Sequence, residues 1–360
     1  MLLVDAHLDL AMNALEWNRD LRQSVEAIRA RESGLTDKPD RGRGTVSLPE
    51  LRRGRVGLVV ATQIARYVAP GNGLPGWHSP EQAWAQSQGQ LAWYREMERA
   101  GEMVAVTDLA SLDAHLARWA DPADDAPIGY IRSLEGADSL VSVDYLEQAV
   151  RDGLRAVGPA HYGPGRYAPG THTKGLLESQ GPALLAAMER LGVILDVTHL
   201  SDDSLWQALD LFGGALWASH HNARALVDDQ RQLPDDQIKA IVARGAVIGA
   251  SCDAWMIVPG WVRGTSTPQS AGCTFERLAD HVVHICTLAG STRHVCIGSD
   301  LDGAFGTEQT PADLDTIVDL HRLCDILVAR GFSDDDIERF RSRNVIDFLR
   351  HHWADRTWLQ

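Results

Sequence analysis

Eight short runs rich in aliphatic and β-branched residues alternate with longer stretches of helical spacing, and this alternation restricts the fold more than any other feature of the chain. The runs are LLVDAH (2–7), GLVVATQI (57–64), IGYIRSLE (128–135), GLRAVGPAH (153–161), VILDVTH (193–199), ALWASH (215–220), GAVIGAS (245–251) and HVCIGSD (294–300). Between them lie segments such as EQAWAQSQGQLAWYREMERAG, QGPALLAAMERLG, SDDSLWQALDLFGG and TFERLADHVVHICTLAGS. Several open on Ser, Thr or Asp and close on Gly, as helix capping requires. A strand, a helix and another strand in succession imply parallel pairing through helical crossovers. Eight such units predict an α/β fold of the (β/α)8 TIM-barrel type, as a single domain over residues 1–360. A doubly wound open sheet would want a Gly-rich phosphate loop after the first strand, and VDAHLDLAMN has none.

Irregular stretches follow the first run (ESGLTDKPDRGRGTVS), the second (YVAPGNGLPGWHSP), the fourth (YGPGRYAPGTHTKG) and the seventh (MIVPGWVRGTSTPQSAGC). All are loop insertions at strand C-termini, where barrel enzymes build their sites. Substrate preference is expected to be set by the loop at 162–175. The last segment, GFSDDDIERFRSRNVIDFLRHHW, reads as a capped amphipathic helix packed on the barrel. A formal charge of −15 excludes the basic stripe that nucleic acid or an anionic membrane would need. Five cysteines between Cys252 and Cys324 form no CxxC pair and read as incidental thiols of a reducing compartment. The chain opens directly on VDAHLDL and contains no run of about 18 apolar residues, so a cytoplasmic location is expected.

The residues that end the runs carry the functional signal. The first run presents His7 and Asp9, two positions apart and so on one face of a strand. Glu135, His161, His199, His220 and Asp300 end the third, fourth, fifth, sixth and eighth. Each has a bland reading: a stray HxD pair, a helix cap, an Asx turn in GSDLDG. In a barrel, however, strand ends converge on one rim, so six strands ending on a ligand or proton carrier describe one pocket. Elsewhere the bland reading prevails. HVVH (281–284) is expected at the surface, His351 and His352 in solvent, and Trp84 and Trp93 in the core or a lid. Imidazoles with carboxylates and no thiolate suit Zn²⁺ or a related first-row dication. Three histidines, Asp9 and Glu135 exceed the needs of one catalytic ion and suffice for two sharing a carboxylate.

Taken as an ordered set, VDAHLDLA, SLEGAD, GPAHYGPGRY, LDVTHLSD, SHHNAR, RQLPDDQI, IGSDLDG and GFSDDDIERFRSRNVIDFL resemble the membrane (renal) dipeptidase family, the metallopeptidase branch of the amidohydrolase-like barrels. The resemblance implies a zinc-dependent dipeptidase with two Zn²⁺ per chain and a hydroxide between them. His7 and Asp9 would bind one ion, His199 and His220 the other, and Glu135 would bridge. Of the adjacent pair His220 and His221, the strand end aligns with His220. Asp300 matches the family's proton-shuttling aspartate, His161 the histidine that polarises the scissile carbonyl, and Arg231 the arginine that holds the substrate's terminal carboxylate. The implied partner is a small dipeptide, with a D-residue at its C-terminal position and a homodimeric assembly both left open. Two alternatives remain at this stage: a binuclear hydrolase of N-acyl amino acids or lactones, and a metal-degenerate barrel with a binding or maturation role.

Overall fold

The structure, a computed structural model, describes residues 2–354 and 356. Its strands are β1 (Leu3–Leu8), β2 (Val56–Gln63), β3 (Met103–Ala105), β4 (Ile128–Glu135), β5 (Leu154–Gly158), β6 (Ile194–Asp196), β7 (Leu216–Trp217), β8 (Ile248–Ala250) and β9 (Val295–Ile297). They pair in parallel in the order β7-β6-β5-β4-β2-β1-β9-β8. The two ends of that path meet where the Ala218 N–H donates to Val247 O (3.0 Å) and the Gly249 N–H to Ala218 O (2.8 Å). A nearly closed eight-stranded (β/α)8 barrel results, as the alternation predicts. β1 lies between β2 and β9, so the beginning of the chain pairs with its last strand.

β3 is a ninth strand outside the barrel, and sequence reading missed it. It pairs with the start of β4 (Met103 opposite Ile128), in a place that β5 takes over only from Arg132 onward. Three residues are too few for a periodicity to show.

The helices form where caps and apolar spacing agree. In helix Pro80–Arg99 the Ser79 side chain accepts from the Gln82 N–H and Pro80 opens the first turn. Ala83, Ser87, Gln90, Leu91, Tyr94 and Met97 recur at three- and four-residue spacing on its buried face. Tyr94 then donates its hydroxyl to Thr62 O at 2.8 Å, fixing the helix to β2. Alternate strand positions serve two apolar layers. Val4, Ala6, Leu58, Val60, Ile131, Ile194 and Cys296 join the C-terminal helix through Phe348, Leu349 and Trp353. Leu3, Val59, Ala61, Leu134, Val157 and Leu195 belong to the larger cluster packed by the surrounding helices. The C-terminal segment is helical as expected, but a π turn at Arg339–Arg343 separates Asp334–Glu338 from Asn344–Trp353.

Two readings from the sequence need correction. His281 of HVVH is buried: its Nδ1 accepts from the Ala223 N–H and its Nε2 donates to Ile257 O, both at 3.1 Å. The strands are also shorter than their apolar runs. His161, His199, His220 and Asp300 each lie three residues past the last strand position of β5, β6, β7 and β9. Two buried carboxylates account for the early ends of β6, β7 and β9. Asp196 accepts from the Thr198 and Ser219 N–H groups at 3.0 and 3.1 Å. Asp5 likewise accepts from the His7 and Ser299 N–H groups at 3.1 and 2.9 Å. Side chains thus replace ladder carbonyls at the rim and free the backbone to turn. Among the described residues no helix is long and apolar enough to cross a membrane.

Candidate metal centre

Glu135, the last residue of β4, stands at the middle of the barrel mouth, where four imidazoles surround it. Its Oε1 lies 3.1 Å from His199 Nε2, 3.5 Å from His220 Nε2 and 3.6 Å from His161 Nε2. Its Oε2 lies 3.4 Å from His7 Nε2. Asp9 follows β1 at the N-cap of helix Leu10–Glu16 but makes no capping bond there. Its carboxylate instead turns to the centre, accepting from the Thr62 hydroxyl and lying 3.9 Å from His7 Nε2. Asp300 Oδ1 is also 3.9 Å from His7 Nε2. His199 (φ 71°) and Asp300 (φ 58°) both adopt the left-handed backbone that side-chain-bearing residues avoid. Strain of this kind, of order 1–3 kcal/mol per residue, gathers at functional sites, and here it aims two side chains inward.

Three overlapping sets bring potential ligand atoms within 4.8 Å of one another: His7, Asp9 and Glu135; Glu135, His199 and His220; and His7, His220 and Asp300. Two buried atoms at the centre, His7 Nε2 and Glu135 Oε2, have no hydrogen-bond partner. Buried polar atoms are rarely left so, and a donor set of imidazole nitrogens and carboxylate oxygens fits a first-row dication. His221 points away from this group, with its ring nitrogens 3.3 and 3.5 Å from Arg231 Nη1. Of the adjacent histidines, it is His220 that joins the cluster.

The electrostatics match a site made for cations. Burial disfavours a charged His7, yet Glu135, Asp9 and Asp300 outweigh it and push the imidazole up to about 10. Burial and the neighbouring Glu135 raise Asp9 to about 7. Asp300 is pushed well above the carboxylate range by burial, with Asp9 and Glu135 adding to it. Burial, reinforced by the Arg231 charge, holds His199 and His220 far below the usual imidazole value. Both rings are therefore neutral, the form that ligates a metal, whereas His7 must release its proton to do so.

A cavity of about 520 Å³ opens over the cluster, within the range of small-molecule sites. Met12, Trp17, Ile64, Leu74, Trp77 and Met256 supply apolar walls. Arg231 lines it from a fully buried position, with Nη2 donating to His220 O at 3.0 Å and Nε unpartnered. Of the loop at 162–175 only Tyr162 reaches the lining, so the loop after β2 supplies more of the wall.

Two lining residues escaped the sequence reading. Arg66 donates from Nη2 to His161 Nδ1. A guanidinium cannot accept, so His161 carries its proton on Nε2, the nitrogen that faces Glu135. Burial, with help from the Arg66 charge, takes His161 down to about 3. Asp253 accepts from Trp255 Nε1 (2.6 Å) and Gln309 Nε2 (2.8 Å) and is raised to about 6 by burial. Both sit three residues past a strand, β2 and β8, the same offset that positions His161, His199, His220 and Asp300. That shared offset shows only once the strand ends are known, and nothing in the sequence marked either residue.

Comparison with known proteins gives concordant results. The profile of the family described as "Membrane dipeptidase (Peptidase family M19)" matches residues 1–356. "Dipeptidase tcpJ" of Claviceps purpurea is 29% identical over 177 residues, which are 48% of this chain and 38% of that protein. The chain spans about two-fifths of the length of curated relatives of this kind. Among solved structures, "dipeptidase AC, Metallo peptidase" aligns with a TM-score of 0.79 at 22% identity, over 98% of this chain and 99% of the other. A metallo peptidase from Rhodobacter sphaeroides, liganded with a phosphinate mimic of the dipeptide L-Ala-D-Ala, aligns with a TM-score of 0.77 at 21% identity, over 98% and 99%. At such identities these two structures share the fold.

Proposed function

The chain belongs to the membrane dipeptidase family, peptidase family M19, and from that premise we propose that it is a metallo-dipeptidase, hydrolysing the amide bond of dipeptides with two zinc ions. His7 and Asp9 would hold one ion, His199 and His220 the other, and Glu135 both. The observation that carries the reading is the pair of buried atoms His7 Nε2 and Glu135 Oε2, 3.4 Å apart and without a hydrogen-bond partner, in a donor set without thiolates. Ions held in this way supply a nucleophilic water at neutral pH and polarise the scissile carbonyl.

The remaining work falls to the protein's own groups. Among the described residues the Arg231 guanidinium contacts His221 and the His220 carbonyl and no carboxylate, and the C-terminal carboxylate of a dipeptide would provide one. His161, held by Arg66 with its proton on Nε2, donates to the amide oxygen as negative charge develops there. With two cations beside it to offset the repulsion of Asp9 and Glu135, Asp300 would be ionised, accept the proton of the attacking water and pass it to the leaving amine, so that acid and amine leave in balance. The apolar wall of Trp17, Leu74 and Trp77 limits water at the reacting bond.

Zinc-loaded protein should contain close to two equivalents and turn over dipeptides in a panel of L,L- and L,D-dipeptides and N-acyl amino acids. The L,D arm is included because the Rhodobacter neighbour holds a mimic of L-Ala-D-Ala. Loaded protein that cleaves N-acyl amino acids and no dipeptide would overturn the reading. Chelation should abolish turnover and lower the melting temperature, with zinc restoring both, because the ions bind only the native cluster. Arg231→Ala should raise KM for dipeptides about 10–100-fold with a smaller change in kcat, as loss of one charge-assisted pair predicts. An unchanged KM would remove Arg231 from carboxylate binding.

A further inference from the structure

We propose that the Ser219 hydroxyl is a positioning group shared by both metal sites, setting the tautomer of one histidine in each. The proposal rests on the metal assignment above and names a residue that takes no part in ligation.

Ser219 is buried beside β7, and its Oγ lies 3.2 Å from His7 Nδ1 and 2.9 Å from His220 Nδ1. The two rings it joins are 3.7 Å apart between centroids. Its third neighbour is Thr198 Oγ1 at 3.4 Å. Counting protons leaves one arrangement. A neutral imidazole has one N–H and one lone pair, so a ring that ligates through Nε2 must carry its proton on Nδ1. A serine hydroxyl has one proton and two lone pairs. With both Nδ1–H groups donating to Ser219, its lone pairs are used and its own proton turns to Thr198. If Ser219 instead donated to either ring, that ring's proton would sit on Nε2, aimed at Glu135, and the ring could not ligate. One hydroxyl therefore decides the ligating state of two histidines assigned to different ions. The backbone gives it little freedom, because Asp196 holds the N–H groups of both Thr198 and Ser219.

His199 has a private version of the same device. Its Nδ1 lies 2.8 Å from Thr171 Oγ1, a contact neither of the other two ligand histidines shares. Thr171 thus acts on one site, and Ser219 on both.

The test is a stepwise zinc titration of the full chain against a competing chelator, comparing wild type, Ser219→Ala and Thr171→Val. Loss of an outer-shell partner typically weakens a metal site about 10–100-fold. Ser219→Ala should weaken both steps to that extent, and Thr171→Val only one. Two unchanged affinities in Ser219→Ala, or a loss confined to one step, overturn the shared role. Wild type that takes up no zinc refutes the metal reading itself, a different result from either. Should Ser219→Ala fail to fold, long-range 1H–15N spectra of loaded wild type decide the matter. His7 and His220 are both expected to carry the proton on Nδ1, and a proton on Nε2 of either ring overturns the proposal.

Discussion

Asp300→Asn is expected to lower kcat about 10²–10⁴-fold, the usual worth of a positioned proton carrier, while two zinc equivalents stay bound. The substitution is a clean one at this position. Asparagine tolerates the left-handed backbone that residue 300 adopts (φ 58°) and keeps the shape of aspartate. The room around the group is provided by Gly303, where a Cβ would come within 2.3 Å of Asp300 Oδ1. What asparagine lacks is a basic oxygen, so the attacking water has no acceptor for its proton. Saturation kinetics with a dipeptide and metal analysis on the same sample check both halves. Near-normal kcat with both ions present would end the proton role. Loss of one ion would make Asp300 a ligand, in the grouping with His7 and His220 that its position also permits.

Gly298→Ala should prevent accumulation of folded protein. A Cβ at residue 298 would stand 1.8 Å from Ser219 O and 2.9 Å from Gly249 Cα. Gly249 has the reciprocal constraint, with its own Cβ position 1.9 Å from Ser219 O. Three backbones, just beyond β7, within β8 and just beyond β9, meet here with no flexible side chain to yield. Overpacking usually costs about 1–3 kcal/mol, and a clash with rigid backbone exceeds that. A cost above about 4 kcal/mol is a large part of a typical domain's 5–15 kcal/mol. Soluble yield and thermal melting measure the effect; a variant melting at the wild-type temperature would show that the strands can part after all.

The residues of the centre were largely legible because chemistry and topology agreed. His7, Glu135, His199 and His220 end apolar runs, and parallel strands bring such ends together. The limits of the strands were not legible. Asp196 and Asp5 read as ordinary acidic residues inside apolar runs, and only three-dimensional pairing reveals that they substitute for ladder carbonyls. Nor does a sequence announce that His199 and Asp300 take positive φ, since neither is glycine. Arg66 and Asp253 were overlooked because an arginine or aspartate after a strand is commonly a solvated loop residue. Their significance lies in where the third residue past a strand points. His281 was misread because a histidine on a helix gives no sign of which backbone groups await it across the interface.

The insertion of β1 between β2 and β9 has a consequence for biosynthesis. β1, which leads into His7 and Asp9, cannot complete its pairing until the segment around Ile297 has been made. At typical translation rates that interval is on the order of tens of seconds. Throughout it His7 stays apart from Asp300, which follows β9. A chain cut short before β9 lacks the pairing that seats His7 at the barrel mouth, so the proposed centre cannot assemble in it.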